Sequence, residues 1–186
     1  YIRTHAGFSH ARLSIRDLSH GLQPLVRNRN GYEYAIVYNG EIYNVDEIKP
    51  GLIRARYEFK TTADTEVILY AYMEYGIDFV SMLNGIYAFA VWDEGKRQLI
   101  LYRDRLGVKP LFYTVRDDML IFGSEIKALF CHPMVSPEID IDSLREVFGA
   151  GPARIPGSGI FKDIYEIKPG HYMVYSLSGL KDLRYW

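Results

Sequence analysis

The chain has 186 residues, 48% of them hydrophobic and 24% charged, which excludes a disordered polyelectrolyte and allows one domain with a substantial core. Lys and Arg number 22 against 23 Asp and Glu, so no overall field favours nucleic acid or an anionic membrane. A single cysteine excludes an internal disulfide framework, no apolar run is long enough to span a membrane and no signal peptide leads the chain, so a reducing, cytoplasmic setting is expected.

Ala11, Leu13 and Ile15 alternate with His10, Arg12 and Ser14, the period of a half-buried strand with Arg12 opposite the apolar set. Asp17 to Pro24 reads as loop and Asn28-Arg29-Asn30-Gly31 as a tight turn. The apolar run Tyr34-Ala35-Ile36-Val37-Tyr38 reads as a buried strand ending in a tight turn at Asn39-Gly40, residues that tolerate positive φ. A helix is expected from Asn44, its cap, with Glu47 at the capping-box position and Val45, Ile48 and Leu52 on one face. It should break near Pro50-Gly51, because an interior proline removes a hydrogen bond. Tyr57-Glu58-Phe59 reads as a short strand.

Asp64 opens the clearest helix, with Val67, Ile68, Ala71, Tyr72 and Tyr75 on one face and Gly76 as its stop. A second helical turn runs from Asp78 to Leu83. The strands Ile86 to Trp92 and Gln98 to Tyr102, each apolar enough to be buried on two faces, form a hairpin about Asp93-Glu94-Gly95-Lys96. After a charged loop, Arg103 to Pro110, a second hairpin joins Leu111–Val115 to Leu120–Gly123 about Asp117-Asp118. Ser124 should cap a helix from Glu125 to Phe130, and Asp140 another carrying Ile141, Leu144, Val147 and Phe148. Gly149 to Gly159 is a Gly- and Pro-rich loop. Strands Ile160–Ile167 and His171–Leu177 should join at Pro169-Gly170, before a polar segment into Tyr185-Trp186. Strands in consecutive runs, with helices early and late, predict an α+β fold, mainly antiparallel, in one domain.

Asn-Gly between apolar runs ordinarily closes a hairpin. Here a helix and not a returning strand is expected next, and a glycine N–H flanked by an amide and a carboxylate, Glu41, suits a small polar ligand. No G-x-S-x-G elbow, Walker A loop, H-E-x-x-H or Cys/His cluster is present, so those chemistries and a metal site have no support. Cys131 adjoins His132, but sequence neighbours point apart, and Cys131 reads as a packing residue.

Arg12-Leu13-Ser14-Ile15, Gln23-Pro24, Tyr38-Asn39-Gly40-Glu41-Ile42-Tyr43-Asn44, Asp64-Thr65-Glu66-Val67-Ile68 and Arg103-Asp104-Arg105-Leu106-Gly107-Val108-Lys109-Pro110-Leu111-Phe112-Tyr113 occur in that order. Ser124-Glu125-Ile126-Lys127-Ala128-Leu129 and Pro169-Gly170-His171-Tyr172 continue the series. Together they resemble the glutaminase domain of glutamine-hydrolysing asparagine synthetase, over nearly the whole chain. The resemblance implies a class II glutamine amidotransferase domain over residues 1–186, with the N-terminal-nucleophile hydrolase fold: two mainly antiparallel sheets sandwiched between helical layers.

The resemblance also implies roles. Arg12 would hold the α-carboxylate of glutamine, with Leu13 and Ile15 lining the pocket. Glu41 and Asp64 would take the α-ammonium, and Asn39 and Gly40 would form the oxyanion hole. The family's nucleophile is a cysteine at the mature N-terminus, with its own α-amine as base. Nothing in this chain matches it, so that residue and its strand are expected upstream of Tyr1, and the chain alone is expected not to hydrolyse glutamine. No cofactor is expected in this domain; ATP and magnesium would belong to a C-terminal synthetase domain, the implied partner, whose pyrophosphate-binding S-G-G-x-D-S loop does not occur here. Neither nucleic acid nor membrane is an expected partner, and a homodimer is compatible with the resemblance. Two alternatives stay open: the same domain serving another acceptor, and a non-catalytic glutamine-binding module.

Overall fold

The computed structural model describes residues 1–11, 22–150, 157 and 159–186. Arg12, Leu13 and Ile15, most of the strand expected about them, and most of the expected 149–159 loop lie outside the described residues.

Two antiparallel sheets carry the fold. The larger has the order β1-β2-β3-β4-β8-β9, formed by Leu25–Arg29, Tyr32–Ile42, Gly85–Asp93, Gln98–Arg103, His171–Ser176 and Gly179–Arg184. The smaller has the order β6-β5-β7, from Met119–Gly123, Phe112–Arg116 and Tyr165–Glu166.

Period-2 alternation builds two cores from the same strands. Ile36 and Tyr38 of β2, Tyr87, Phe89 and Val91 of β3, and Ile100 and Tyr102 of β4 face helices α1 (Val45–Arg54) and α2 (Asp64–Tyr75). Their neighbours Ala35, Val37, Ala88, Ala90, Trp92, Leu99 and Leu101 face the smaller sheet, meeting Leu111, Tyr113, Leu120 and Phe122. The far side of that sheet packs Phe112 and Ile121 against Leu129 of α3 (Ile126–Leu129) and against Val135 and Ile164. The layers therefore run helix, sheet, sheet, helix, as expected. Helix α2 is buried almost all round from Thr65 to Tyr72, as a helix enclosed on several sides must be, while Tyr75 at its end is exposed.

Several local expectations are corrected. Strand β2 does not stop at Asn39-Gly40; it stays paired with β3 through Ile42↔Gly85. Helix α1 runs through Pro50 to Arg54. Pro50 and Asp46 are both on its exposed side, where water can serve the carbonyl that the missing N–H leaves. It ends when Arg56 turns left-handed (φ 64°), so that Tyr57 N–H reaches Leu52 O at 3.0 Å and Arg56 N–H reaches Ile53 O at 2.9 Å. The Asn44 side chain does not cap α1: it donates to Met82 O and accepts from Asn84 N–H, both at 2.9 Å, pinning the helix start beside β3.

Tyr57–Phe59 forms no strand, and Ser124 does not cap α3, whose N-cap position is Glu125. Asp140 does cap α4 (Ile141–Ala150), accepting from Ser143 N–H at 2.9 Å and its hydroxyl at 2.6 Å. Strands β1 and β9 were not expected, the first joined to β2 through left-handed Asn30-Gly31. Pro169-Gly170 is no hairpin turn, because β7 and β8 belong to different sheets.

Candidate active site at the end of strand β2

Alternation along β2 sets Asn39 and Glu41 on the face of Val37, towards the smaller sheet, and both side chains are exposed. They line a broad depression between the sheets together with Ala88, Phe122 and Asp64. Its volume, about 2900 Å³, is several times the ~300–1,000 Å³ of a small-molecule pocket, so the polar groups and not the volume define a ligand.

Gly40 is explained by close approach and not by a turn. A Cβ there would lie 2.2 Å from Ile86 O and 2.7 Å from Tyr87 Cα. Across the same seam, a Cβ on Gly85 would lie 2.3 Å from Glu41 O. Two glycines thus bring β2 and β3 closer than side chains would permit.

Register decides where the Gly40 amide points. In an antiparallel ladder each residue sends its N–H and C=O to one side, and successive residues alternate. Tyr87, opposite Gly40, sends both groups the other way, to Asp104: its C=O accepts from Asp104 N–H at 2.8 Å and its N–H donates to Asp104 Oδ2 at 3.3 Å. Gly40 and Tyr87 are therefore a non-hydrogen-bonded pair, and the Gly40 N–H is directed away from β3. Two residues earlier, Tyr38 faces the same way and is clamped by a side chain: Gln23 donates to Tyr38 O at 2.9 Å and accepts from Tyr38 N–H at 2.6 Å. Strand β1 pairs with β2 only as far as Ile36, so among the described residues no strand covers Gly40 on that side.

Asp64, first residue of α2, comes to this strand end from the helical side. Its carboxylate accepts from the Tyr38 hydroxyl at 2.7 Å, from Ile42 N–H at 3.3 Å and from Thr65 N–H at 3.1 Å. Burial and the adjacent carboxylate push the Tyr38 hydroxyl far above its ordinary pKa, so it stays a donor. Asn39, Gly40, Glu41 and Asp64 are thus gathered at one end of β2, while Arg12, Leu13 and Ile15 lie outside the described residues.

Helix α2 is fixed by a residue to which sequence reasoning gave no role. Glu66 is fully buried and accepts from Arg27 Nε at 2.9 Å and Nη2 at 2.6 Å, and from Thr61 N–H at 2.8 Å. Burial works against the charge, yet the Arg27 and Thr61 hydrogen bonds outweigh it and hold the carboxyl below its usual range. The signal is a carboxylate on the otherwise apolar side of a helix; Gln23 and Asp104, within the shared motifs, show no comparable signal in the sequence.

Cys131 also borders the depression and, exposed, is not the packing residue expected from the sequence. It is exposed after α3, its thiol 3.6 Å from Lys127 O, while His132 Nδ1 accepts from Met134 N–H at 3.3 Å. Among the described residues no group of His, Cys, Asp and Glu could hold a metal ion, and no helix is long and apolar enough to cross a membrane.

Two antiparallel sheets packed face to face between helices, with the polar cluster at a strand end of the larger sheet, define the N-terminal-nucleophile hydrolase architecture of class II amidotransferases. The backbone aligns with the glutamine phosphoribosylpyrophosphate amidotransferase of B. subtilis, solved with ADP and GMP, at a TM-score of 0.62 and 25% identity over 89% of this chain and 32% of that one. Residues 1–186 match the family described as glutamine amidotransferase domain, and the chain belongs to that family. It is similar to two glutamine-hydrolysing asparagine synthetases of Bacillus subtilis (strain 168): number 3 is 48% identical over 98% of this chain and 30% of its own length. Number 2 is 40% identical over 100% of this chain and 25% of its own length. The chain thus spans less than a third of these relatives.

Proposed function

We propose that this domain binds glutamine at the end of β2 and releases ammonia from its side-chain amide, and that in the whole protein the ammonia passes to an ATP-activated carboxylate, that of aspartate. The observation that carries the reading is the Gly40 N–H, directed out of the β2–β3 ladder beside the exposed amide of Asn39. When a nucleophile adds to the amide carbon of glutamine, the carbonyl oxygen gains negative charge. Two N–H donors held by a sheet stabilise that charge without reorganising.

Glutamine's α-ammonium needs negative charge, which Glu41 and Asp64 supply, and its α-carboxylate needs a planar cation, the role given to Arg12, with Leu13 and Ile15 lining the pocket. The attacking group in this reading is a cysteine thiol activated by its own α-amine: the thiol bonds to the amide carbon, ammonia leaves, and water cleaves the thioester to glutamate. Cys131 borders the depression but follows α3 and is not at a chain N-terminus, so it has no α-amine of its own to serve as base. ATP and magnesium have their place in a synthetase module beyond the glutaminase fold. The similarity to the asparagine synthetases favours aspartate as acceptor.

The test is steady-state kinetics of Arg12→Ala and Asp64→Ala in the full-length protein, with glutamine and separately with free ammonia. Removing one partner of a buried charged contact typically costs about 2–5 kcal/mol, so KM for glutamine should rise steeply while ammonia-dependent synthesis survives. A parallel fall in both activities would assign these residues to the fold. No change in either would place the glutamine pocket elsewhere.

A further inference from the structure

The buried carboxylate of Asp104 has no part in the glutamine contacts proposed above, yet it is tied to them through the backbone. Asp104 is 1% exposed and accepts four N–H groups. Three come from its own loop: Leu106 at 3.1 Å and Val108 at 3.0 Å on Oδ1, and Lys109 at 2.9 Å on Oδ2. The fourth comes from another strand, Tyr87 at 3.3 Å on Oδ2, while the Asp104 N–H donates back to Tyr87 O at 2.8 Å. Asp104 therefore holds both polar groups of the Tyr87 backbone. The Ile86–Tyr87 backbone in turn lies against Gly40, within the space a single methyl would fill. Where the Gly40 amide stands depends on where Ile86–Tyr87 stands, and that is set from the opposite side by Asp104.

We infer that Asp104 is a positioning residue for the Gly40 amide, acting through the Tyr87 backbone across β3, so that it tunes transition-state stabilisation and not glutamine affinity. The inference rests on the glutaminase reading given above. Tyr185 reinforces the same residue from the side-chain end: its hydroxyl lies 2.9 Å from that of Tyr87 and donates to Arg103 O at 2.7 Å. Arg103 braces the loop by donating to Lys109 O at 2.9 Å, Gly107 O at 2.8 Å and Ile167 O. The carboxylate is thus fixed on the side of Tyr87 away from β2, and Gly40 packs against Tyr87 on the other.

The loop alone would account for a purely local Asp104. The two roles separate in the full-length protein carrying Asp104→Asn, in which an amide N–H₂ replaces one of the two accepting oxygens. Glutamate release is followed against glutamine concentration, with each rate referred to folded protein by circular dichroism and to ammonia-dependent synthesis on the same sample. The expected result is a glutamine-dependent kcat lowered about tenfold or more, KM within about threefold of the parent, and ammonia-dependent synthesis unchanged, since a mis-set oxyanion donor costs up to ~10²–10³ in kcat. Unchanged glutamine-dependent kcat, or an equal fall in both activities, overturns the inference. If Asp104→Asn does not fold, Tyr185→Phe decides: a fall of a few-fold in glutamine-dependent kcat at constant KM supports it, and no change overturns it. Asn39→Ala run alongside separates the two levels. If that variant keeps full glutaminase activity, the reading of β2 fails and this inference with it; if it loses activity while Asp104→Asn does not, only the inference fails.

Discussion

Asp64 and Glu66 stand two residues apart at the start of α2, and their carboxylates meet opposite surroundings. Both oxygens of Glu66 are saturated, Oε1 by Arg27 and Tyr70, Oε2 by the amides of Lys60 and Thr61 and by the Thr61 hydroxyl. The side chain is fully buried and its Arg27 partner nearly so, at 0% and 18% exposure. Asp64 is half-buried, borders the depression, and lies beside a glycine amide that the sheet does not use. A polar group whose bonding capacity the scaffold consumes carries structure. Asp64 accepts three scaffold donors as well, but it stands at the edge of a depression, beside a Gly40 N–H for which the described residues supply no strand partner, and there it can carry chemistry. The two are coupled, because the Arg27–Glu66 clasp ties α2 to β1 and so sets where Asp64 meets the end of β2.

Glu66→Ala tests the structural side and should have the largest effect. Removing one partner of a buried ion pair costs roughly 3–5 kcal/mol, so thermal or denaturant unfolding should show a large loss of stability. A change below about 0.5 kcal/mol, the range of ordinary surface substitutions, would show that Glu66 does not anchor α2. The same carboxyl has a pH signature. Its folded pKa is depressed, so its contribution is fully present above the ordinary glutamate value of about 4.3 and is lost as pH falls through the lower folded value. Acid unfolding below about pH 4 should therefore weaken the parent more steeply than Glu66→Gln; equal slopes would contradict the assignment.

Gly40→Ala sharpens the comparison from the other side. The added methyl must displace the Ile86–Tyr87 backbone, an overpacking that typically costs about 1–3 kcal/mol. Glutamine hydrolysis by the full-length protein should fall further than that stability loss explains, since the strand pair that aims the amide is pushed apart. Activity falling only in proportion to the folded fraction would make Gly40 a packing residue. The smallest effect belongs to Cys131→Ser, expected within about 0.5 kcal/mol of the parent and with unchanged glutamate release. A large loss of turnover in folded protein would make that thiol the nucleophile.

Much of this was legible in the sequence, for identifiable reasons. The alternation of β3 and β4 and the stop at Gly76 are local signals that tertiary packing leaves intact, and the order of motifs from Arg12 to Tyr172 singles out Asn39, Gly40, Glu41 and Asp64, which the fold gathers at one end of β2. Asn39-Gly40 in the sequence suggests a turn, but a glycine permits a turn or a close approach, and only the facing strand tells which. Pro50 signals a break because the sequence alone does not say which side of α1 faces water. Strand β9, exposed along its whole length, has no apolar alternation to announce it. Arg103 and Asp104 looked like a solvated loop because charge suggests exposure, and the partners that bury them, at Tyr87, Glu166 and Ile167, lie far along the chain.

If the end of β2 supplies oxyanion donors, Asn39→Ala in the full-length protein exposes it with least disturbance, because Asn39 is exposed and its truncation should leave the fold intact. Loss of one such donor typically costs about 2.7–4 kcal/mol of barrier. The predicted result is a glutamine-dependent kcat lowered by about 10²–10³, with unfolding temperature and ammonia-dependent synthesis unchanged. Glutamine-dependent turnover at the parent's level, or an equal loss of both activities, would contradict it.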